Sequence, residues 1–106
     1  MKIYQMYRVS GEAYARVVHG AAFRPRLRHR LDLANHSPTG FEWGYAGSGP
    51  AQLALAILAD CLDDDAQALS LYQRFKSQVV ATKPRDEGWS ISEETVRYWV
   101  GRQVTG

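Results

Sequence analysis

The stretch NHSPTGFEWGYAGSGPAQLALAIL, residues Asn35 to Leu58, places two turn clusters and a run of aromatic side chains directly before the most apolar helix in the sequence. Ser37-Pro38-Thr39-Gly40 has proline at the second and glycine at the fourth position of a type I turn, and Asn35 can bond its own backbone just ahead of it. In FEWGY, Phe41, Trp43 and Tyr45 share one face if the backbone is extended, and Gly44 permits a close approach or a bulge. Gly47-Ser48-Gly49-Pro50 reads as a helix start. Proline suits the first helical turn, where its missing N–H has no partner anyway, and the residue before it is pushed out of the helical region. The spacing predicts a helix from about Pro50 to about Leu62, capped by Ser48. It is apolar almost all round (Leu53, Ala54, Leu55, Ala56, Ile57, Leu58), the pattern of a central, buried helix. Phe41, Trp43, Tyr45, Gly47, Gly49 and Pro50 therefore read as a rigid joint, with Phe41 or Trp43 packed on Leu53 or Ile57. Whether the stretch is also a pocket stays open at this level.

Upstream, IYQMYRV and AYARVV are rich in β-branched and aromatic residues and are separated by Ser10-Gly11-Glu12, which predicts a hairpin ending at His19-Gly20. Leu27, Leu31 and Leu33 alternate with Arg28, Arg30 and Asp32, the period of a half-buried third strand. Downstream, Asp63-Asp64-Asp65 ends the apolar helix and opens a second, where carboxylates suit the positive end of the helix dipole. That second helix is expected from about Asp65 to Ala81, burying Ala68, Tyr72, Phe75 and Val79. Pro84 and Gly88 precede a last helix that starts at Ser92 and docks through Val96, Trp99 and Val100. Strands first and helices second predict an α+β fold over residues 1–106: one small domain with an N-terminal antiparallel sheet of about three strands on about three helices.

At 106 residues and 45% hydrophobic composition the chain can bury one core without disulfides or metal. The single cysteine, Cys61, lies in the run LALAILADCL and reads as a small buried thiol. No signal-peptide pattern or run long enough to span a membrane is present, so a soluble cytoplasmic protein is expected. The net charge of +2 is uneven: residues 1–45 carry seven basic and three acidic side chains, residues 46–106 six and eight. Arg24, Arg26, Arg28 and Arg30 make the sharpest charge signal.

The pattern from Arg30 to Ala54 (Arg-Leu-Asp-Leu, a short gap, then NHSPTGFEWGYAGSGPAQLA) resembles the signature of an uncharacterised family of small bacterial and phage proteins. Ala46 stands where that signature has glycine. The resemblance extends through Leu71-Tyr72-Gln73-Arg74-Phe75-Lys76 and Trp89. It implies a bacterial or mobile-element origin and supplies no catalytic residue.

Chemical motifs are incomplete. A Walker loop needs Gly-Lys-Ser/Thr where Gly49-Pro50-Ala51 stands, and a dinucleotide fingerprint needs glycine at Gln52. The residues around Ser48 lack the glycines of a nucleophile elbow. Asp32, His36, Ser37 and Glu42 are close in sequence and could converge on a small enzyme site around Asp32, His36 and Ser48, but a histidine between Asn35 and Ser37 more often fixes loop hydrogen bonds. His19, His29, His36 and Cys61 lack structural-zinc spacing, so neither metal nor cofactor is expected. If extended, Arg24, Arg26, Arg28 and Arg30 would stand roughly 7 Å apart on one face, a spacing able to track a nucleic-acid backbone or to pair with acidic groups. Arg24, Arg26, Arg28, Arg30, His36 and Ser48 are thus the candidate binding residues. The leading expectation is a non-enzymatic accessory module that binds a bacterial protein or complex, a host defence system among them. A nucleic-acid-binding role for the arginine face is the alternative, and a small enzyme ranks third.

Overall fold

The hairpin closes through a two-residue loop: Ser10 and Gly11 both adopt positive φ (51° and 84°), the mirror-image turn whose twist matches that of the flanking strands. Strand β1 (Lys2–Val9) pairs antiparallel with β2 (Glu12–His19) from Lys2↔His19 to Val9↔Glu12. The structure, a computed structural model, describes residues 1–24, 26–38 and 40–105, with the side chains of Phe23, Arg24, Val104 and Thr105 outside the description. A three-residue strand β3 (Ala22–Arg24) adds to β2. On the other side, β4 (Trp89–Ser92) pairs antiparallel with β1 through Ile3↔Ser92 and Met6↔Trp89. The sheet order is β3-β2-β1-β4, so its inner edge of β1 is completed by a segment some eighty residues away.

Three helices follow the α+β pattern: α1 (Ser48–Leu62), α2 (Asp65–Gln78) and α3 (Glu93–Thr105). As its sequence demands, α1 is buried on all sides, from Gly49 through Ala59 and again at Cys61. Tyr4, Met6, Ala15 and Val17 from the inner face of the sheet join it in one core cluster with Phe41, Trp43, Leu71, Phe75, Val96 and Val100. Asp63 ends α1 in the left-handed conformation (φ 52°, ψ 37°), and the Asp64 carboxylate caps α2 by accepting from the Gln67 N–H. Ser92 caps α3, its Oγ accepting from the Thr95 N–H at 3.1 Å. Trp99 docks α3 on α2, its ring edge-on to Phe75 at 5.0 Å and its Nε1 donating to Gln78 Oε1.

Four local expectations are corrected. Residues 27–33 do not form a strand: Leu27 N–H reaches Ala15 O at 2.8 Å, but Arg30 then takes a left-handed φ of 59° and Leu31 is exposed while Leu27 is buried. The third and fourth strands lie elsewhere, and β4 interrupts the helices. Second, α1 begins at Ser48 with Gly47 in the capping position and no side-chain cap, so Ser48 does not serve as one. Third, α2 ends at Gln78, and a single 3-10 turn, Val80–Thr82, covers the residues expected to continue it. Fourth, Phe41 and Trp43 are buried but Tyr45 is exposed. The break comes at Gly44, whose φ of 87° turns the chain and ends the alternation.

Gly44 also shows why the joint needs glycine. A Cβ there would lie 2.7 Å from Arg85 Cα and 2.9 Å from Lys83 O, and its N–H donates to Val80 O at 3.1 Å. Backbone cannot move aside as a side chain end can. Gly44→Ala is therefore expected to cost about 1–3 kcal/mol of stability through positive φ and the forced shift of residues 83–85. An unchanged midpoint in chemical denaturation would refute this. Gly49 is similarly confined, since a Cβ there would meet Glu42 Cβ at 2.6 Å.

Candidate functional site

The arginine run does not form one face. Arg24 has its side chain outside the described residues, and Arg26 lies apart from Arg28 and Arg30. Arg26 lines a small cavity with Leu27, His29 and Phe41. Arg28 and Arg30 line a separate open cleft of about 480 Å³ at the carboxy-terminal end of α1, beside Lys2, His19 and Arg97. Arg30 is held by two carboxylates, Asp32 at 3.1 Å and Asp65 at 2.9 Å, and only 18% of its side chain is exposed. That pairing also holds the Asp32 carboxyl below its usual range. Spacing by two residues had placed these side chains in a row; the turn at Arg30 and the reach to Asp65 disperse them.

The cleft at the end of α1 has a structural explanation. With no basic residue in its last turn, α1 leaves its final carbonyls to cations from elsewhere. Lys2 Nζ donates to Asp60 O at 3.2 Å and Arg97 Nη2 to Cys61 O at 2.6 Å. Asp60 also accepts from the Tyr4 hydroxyl at 2.8 Å. Burial, then the Asp60 hydrogen bond, raises the Tyr4 phenol far above its usual range, and burial raises the Cys61 thiol. The Cys61 side chain is buried, with its Sγ 3.7 Å from Glu93 O.

His36 and Ser48 are not brought together with Asp32. The His36 ring bonds the Tyr72 hydroxyl through Nε2 at 2.6 Å, Asp32 is paired with Arg30, and Ser48 is exposed with no hydrogen bond to either among the described residues. What gathers this region is Gln52, fully buried on α1. Its Oε1 accepts from the His36 and Ser37 N–H groups (2.8 and 3.1 Å), and its Nε2 donates to His29 O and Ala34 O (2.6 and 3.1 Å). All four hydrogen-bonding positions of the amide are filled. Sequence reasoning passed over this residue, although a lone glutamine in an otherwise apolar, all-buried helix was the available signal, since a buried amide must find partners.

On the amino-terminal side of α1, a groove of about 570 Å³ runs between the hairpin and the joint, lined by Glu12, Ala13, Phe41, Glu42, Tyr45 and Ser48 among others. It continues into the smaller cavity beside Arg26, about 170 Å³, where His29 stacks on Phe41 with centroids 4.1 Å apart and planes within 9°. Burial, then the Arg26 charge, lowers the His29 pKa, favouring the neutral ring in this stack. Among the described residues no group of three histidine, cysteine or acidic side chains is placed to hold a metal ion. No helix among them is long and apolar enough to cross a membrane.

The second uncovered surface is the outer face of the sheet. The β1–β2 register turns Ile3, Gln5, Tyr7 and Val9 to the same side as Tyr14, Arg16 and Val18, away from the helices. Tyr7 and Tyr14 stack across the strands at 5.6 Å, Arg16 lies over the Tyr7 ring at 5.0 Å, and its Nε donates to Gln5 Oε1 at 2.7 Å. Ile3, Val9 and Tyr14 are each more than a third exposed.

These features define a small α+β domain with helices on one face of a four-stranded antiparallel sheet and the other face bare. The sequence pattern of the family of unknown function DUF6166 matches residues 4–102, and the chain belongs to that family. No curated protein and no solved structure shows a significant match to it.

Proposed function

We propose that the protein is a non-enzymatic module that binds another protein, a bacterial protein or complex, through the outer face of its sheet. The observation that carries this reading is the makeup of that face. Across β1 and β2 it holds aliphatic and tyrosine side chains with one cation, Arg16, and one anion, Glu12. Tyrosine and arginine amid apolar neighbours are the residue types enriched at binding hot spots. A nucleic-acid surface would instead need several cations in register with phosphates. The division of Arg26 from Arg28 and Arg30 also weakens the nucleic-acid alternative.

The test compares capture from a bacterial lysate by the wild-type chain and by Ile3→Glu, with quantitative mass spectrometry as the readout. Ile3 is 37% exposed, so a glutamate there should leave the fold intact while charging the face. A defined protein recovered by the wild type and depleted at least tenfold with the variant is expected. Equal recovery removes the face from the account. Nucleic-acid binding at physiological salt with a Kd on the order of nanomolar would favour the other partner class.

A further inference from the structure

The edge of β2 is covered along only part of its length. Because the hairpin loop has two residues, the closing pair Val9 and Glu12 exchange backbone bonds, and the odd-numbered residues of β2 turn theirs away from β1. The Leu27 N–H to Ala15 O bond, 2.8 Å, shows that direction. Strand β3 covers Val17 to His19, Leu27 reaches Ala15, and among the described residues the cover stops there. The N–H and C=O of Ala13 face outward with no partner among the described residues.

Ala13 lies where the groove and the cavity beside Arg26 meet, so its outward backbone groups border both. The cavity, about 170 Å³, is lined by Ala13, Tyr14, Ala15, Leu27, His29 and Phe41 together with Arg26, and most of its lining is apolar. Arg26 is exposed and has no ion-pair partner among the described residues, although its charge acts on both His29 and Tyr14. Glu12 and Glu42 also line the groove, but Glu12 accepts from the Tyr14 hydroxyl at 2.9 Å and Glu42 is held by Arg8 at 2.8 Å.

We propose that this edge is a docking site for an extended peptide segment of a partner protein, which pairs with Ala13, places an apolar side chain in the cavity and sets an acidic side chain against Arg26. Free strand-edge groups ask for extended backbone, because only a strand offers an acceptor and a donor at the matching spacing. In such a segment side chains on one face recur roughly every 7 Å, so the apolar anchor and the acidic residue should stand two positions apart. The inference rests on the reading of the chain as a protein-binding module but uses a different surface, distant along β1 and β2 from Ile3.

The experiment selects a random dodecapeptide display library against the wild-type protein. The enriched sequence is then synthesised with a fluorophore and titrated, by anisotropy, into the wild type, Ala13→Pro, Arg26→Glu and Ile3→Glu. Proline at Ala13 deletes the outward N–H and leaves the β1–β2 ladder its bonds. An apolar residue two positions from an aspartate or glutamate is expected in the selected sequence. Binding should weaken at least tenfold with Ala13→Pro and Arg26→Glu, and the latter should be rescued when the peptide acid is replaced by lysine. Ile3→Glu should bind as the wild type does. Where circular dichroism shows Ala13→Pro misfolded, the Arg26→Glu charge swap alone decides. No enriched peptide, a selected sequence without the acidic and apolar pair, or no rescue by the swap would overturn the proposal. So would a concentration-dependent dimer in sedimentation that the peptide fails to dissociate, since a second copy would then own the edge. Lysate capture lost with Ile3→Glu but kept with Ala13→Pro and Arg26→Glu would overturn the edge site and leave the sheet-face reading standing.

Discussion

Gln52→Leu is expected to lower the free energy of unfolding by about 3–5 kcal/mol, a loss as large as deleting a core aromatic, although leucine nearly matches glutamine in size. The side chain is fully buried, and it satisfies two N–H groups and two carbonyls of residues 29–37 at once. Leucine would leave all four without their present partner in a half-buried segment. Each orphaned buried group costs about 1–3 kcal/mol, and partial rehydration keeps the total below the sum. Gln52→Glu is expected to be no better, because it keeps the acceptors, loses both donors and buries a charge. Urea denaturation followed by circular dichroism measures the effect. A midpoint for Gln52→Leu within error of the wild type would show that the coil holds itself without the amide.

Trp43→Ala is expected to cost about 3–5 kcal/mol, from lost apolar burial and the cavity left behind. Trp43 has no exposed surface, its Nε1 donates to Glu87 O at 2.8 Å, and the Arg8 guanidinium lies 4.3 Å from the ring centroid. Arg8 in turn pairs with Glu42 and donates to Gly11 O and Arg85 O, so the indole sits beneath a clasp joining the hairpin loop, the joint and the 83–87 turn. Trp43→Phe separates the contributions: it keeps most of the ring burial, loses the hydrogen bond, and should cost about 1–2 kcal/mol. Equal stability of Trp43→Ala and the wild type in the same denaturation assay would refute the account.

The elements that could be read from the sequence are those whose signals are local. The hairpin, the all-round apolar α1, the stripe of α2 and the Ser92 cap each depend on residues within a few positions of one another, and the structure has them. The missed features depend on distant partners. WSIS at 89–92 is too short to show a period, and it becomes a strand because β1 offers Tyr4 and Met6 as pairing partners. The leucine and arginine alternation over 27–33 looked like a strand, yet Arg30 pairs with Asp65 at the start of α2 and takes a left-handed φ that ends any extended run. For the site, Phe41, Trp43, Gly47, Gly49 and Pro50 were legible as a joint because aromatics and glycines crowd one stretch. Gln52 and the open edge at Ala13 were not, since both are defined by what the chain brings, or fails to bring, against them.

The pairing of β1 with β4 sets an order on synthesis. Residues 3–6 wait for residues 89–92 before their second edge is covered, and α1, apolar on every side, cannot be enclosed until α3 has been made. A nascent chain that has emerged only as far as α2 carries an open strand edge and an exposed hydrophobic helix, the two surfaces most prone to pair with the wrong chain. Closure of the sheet by such a distant segment also slows folding relative to a helical bundle of this size. A ribosome-bound chain stalled before residue 89 should therefore be the form that chaperones hold.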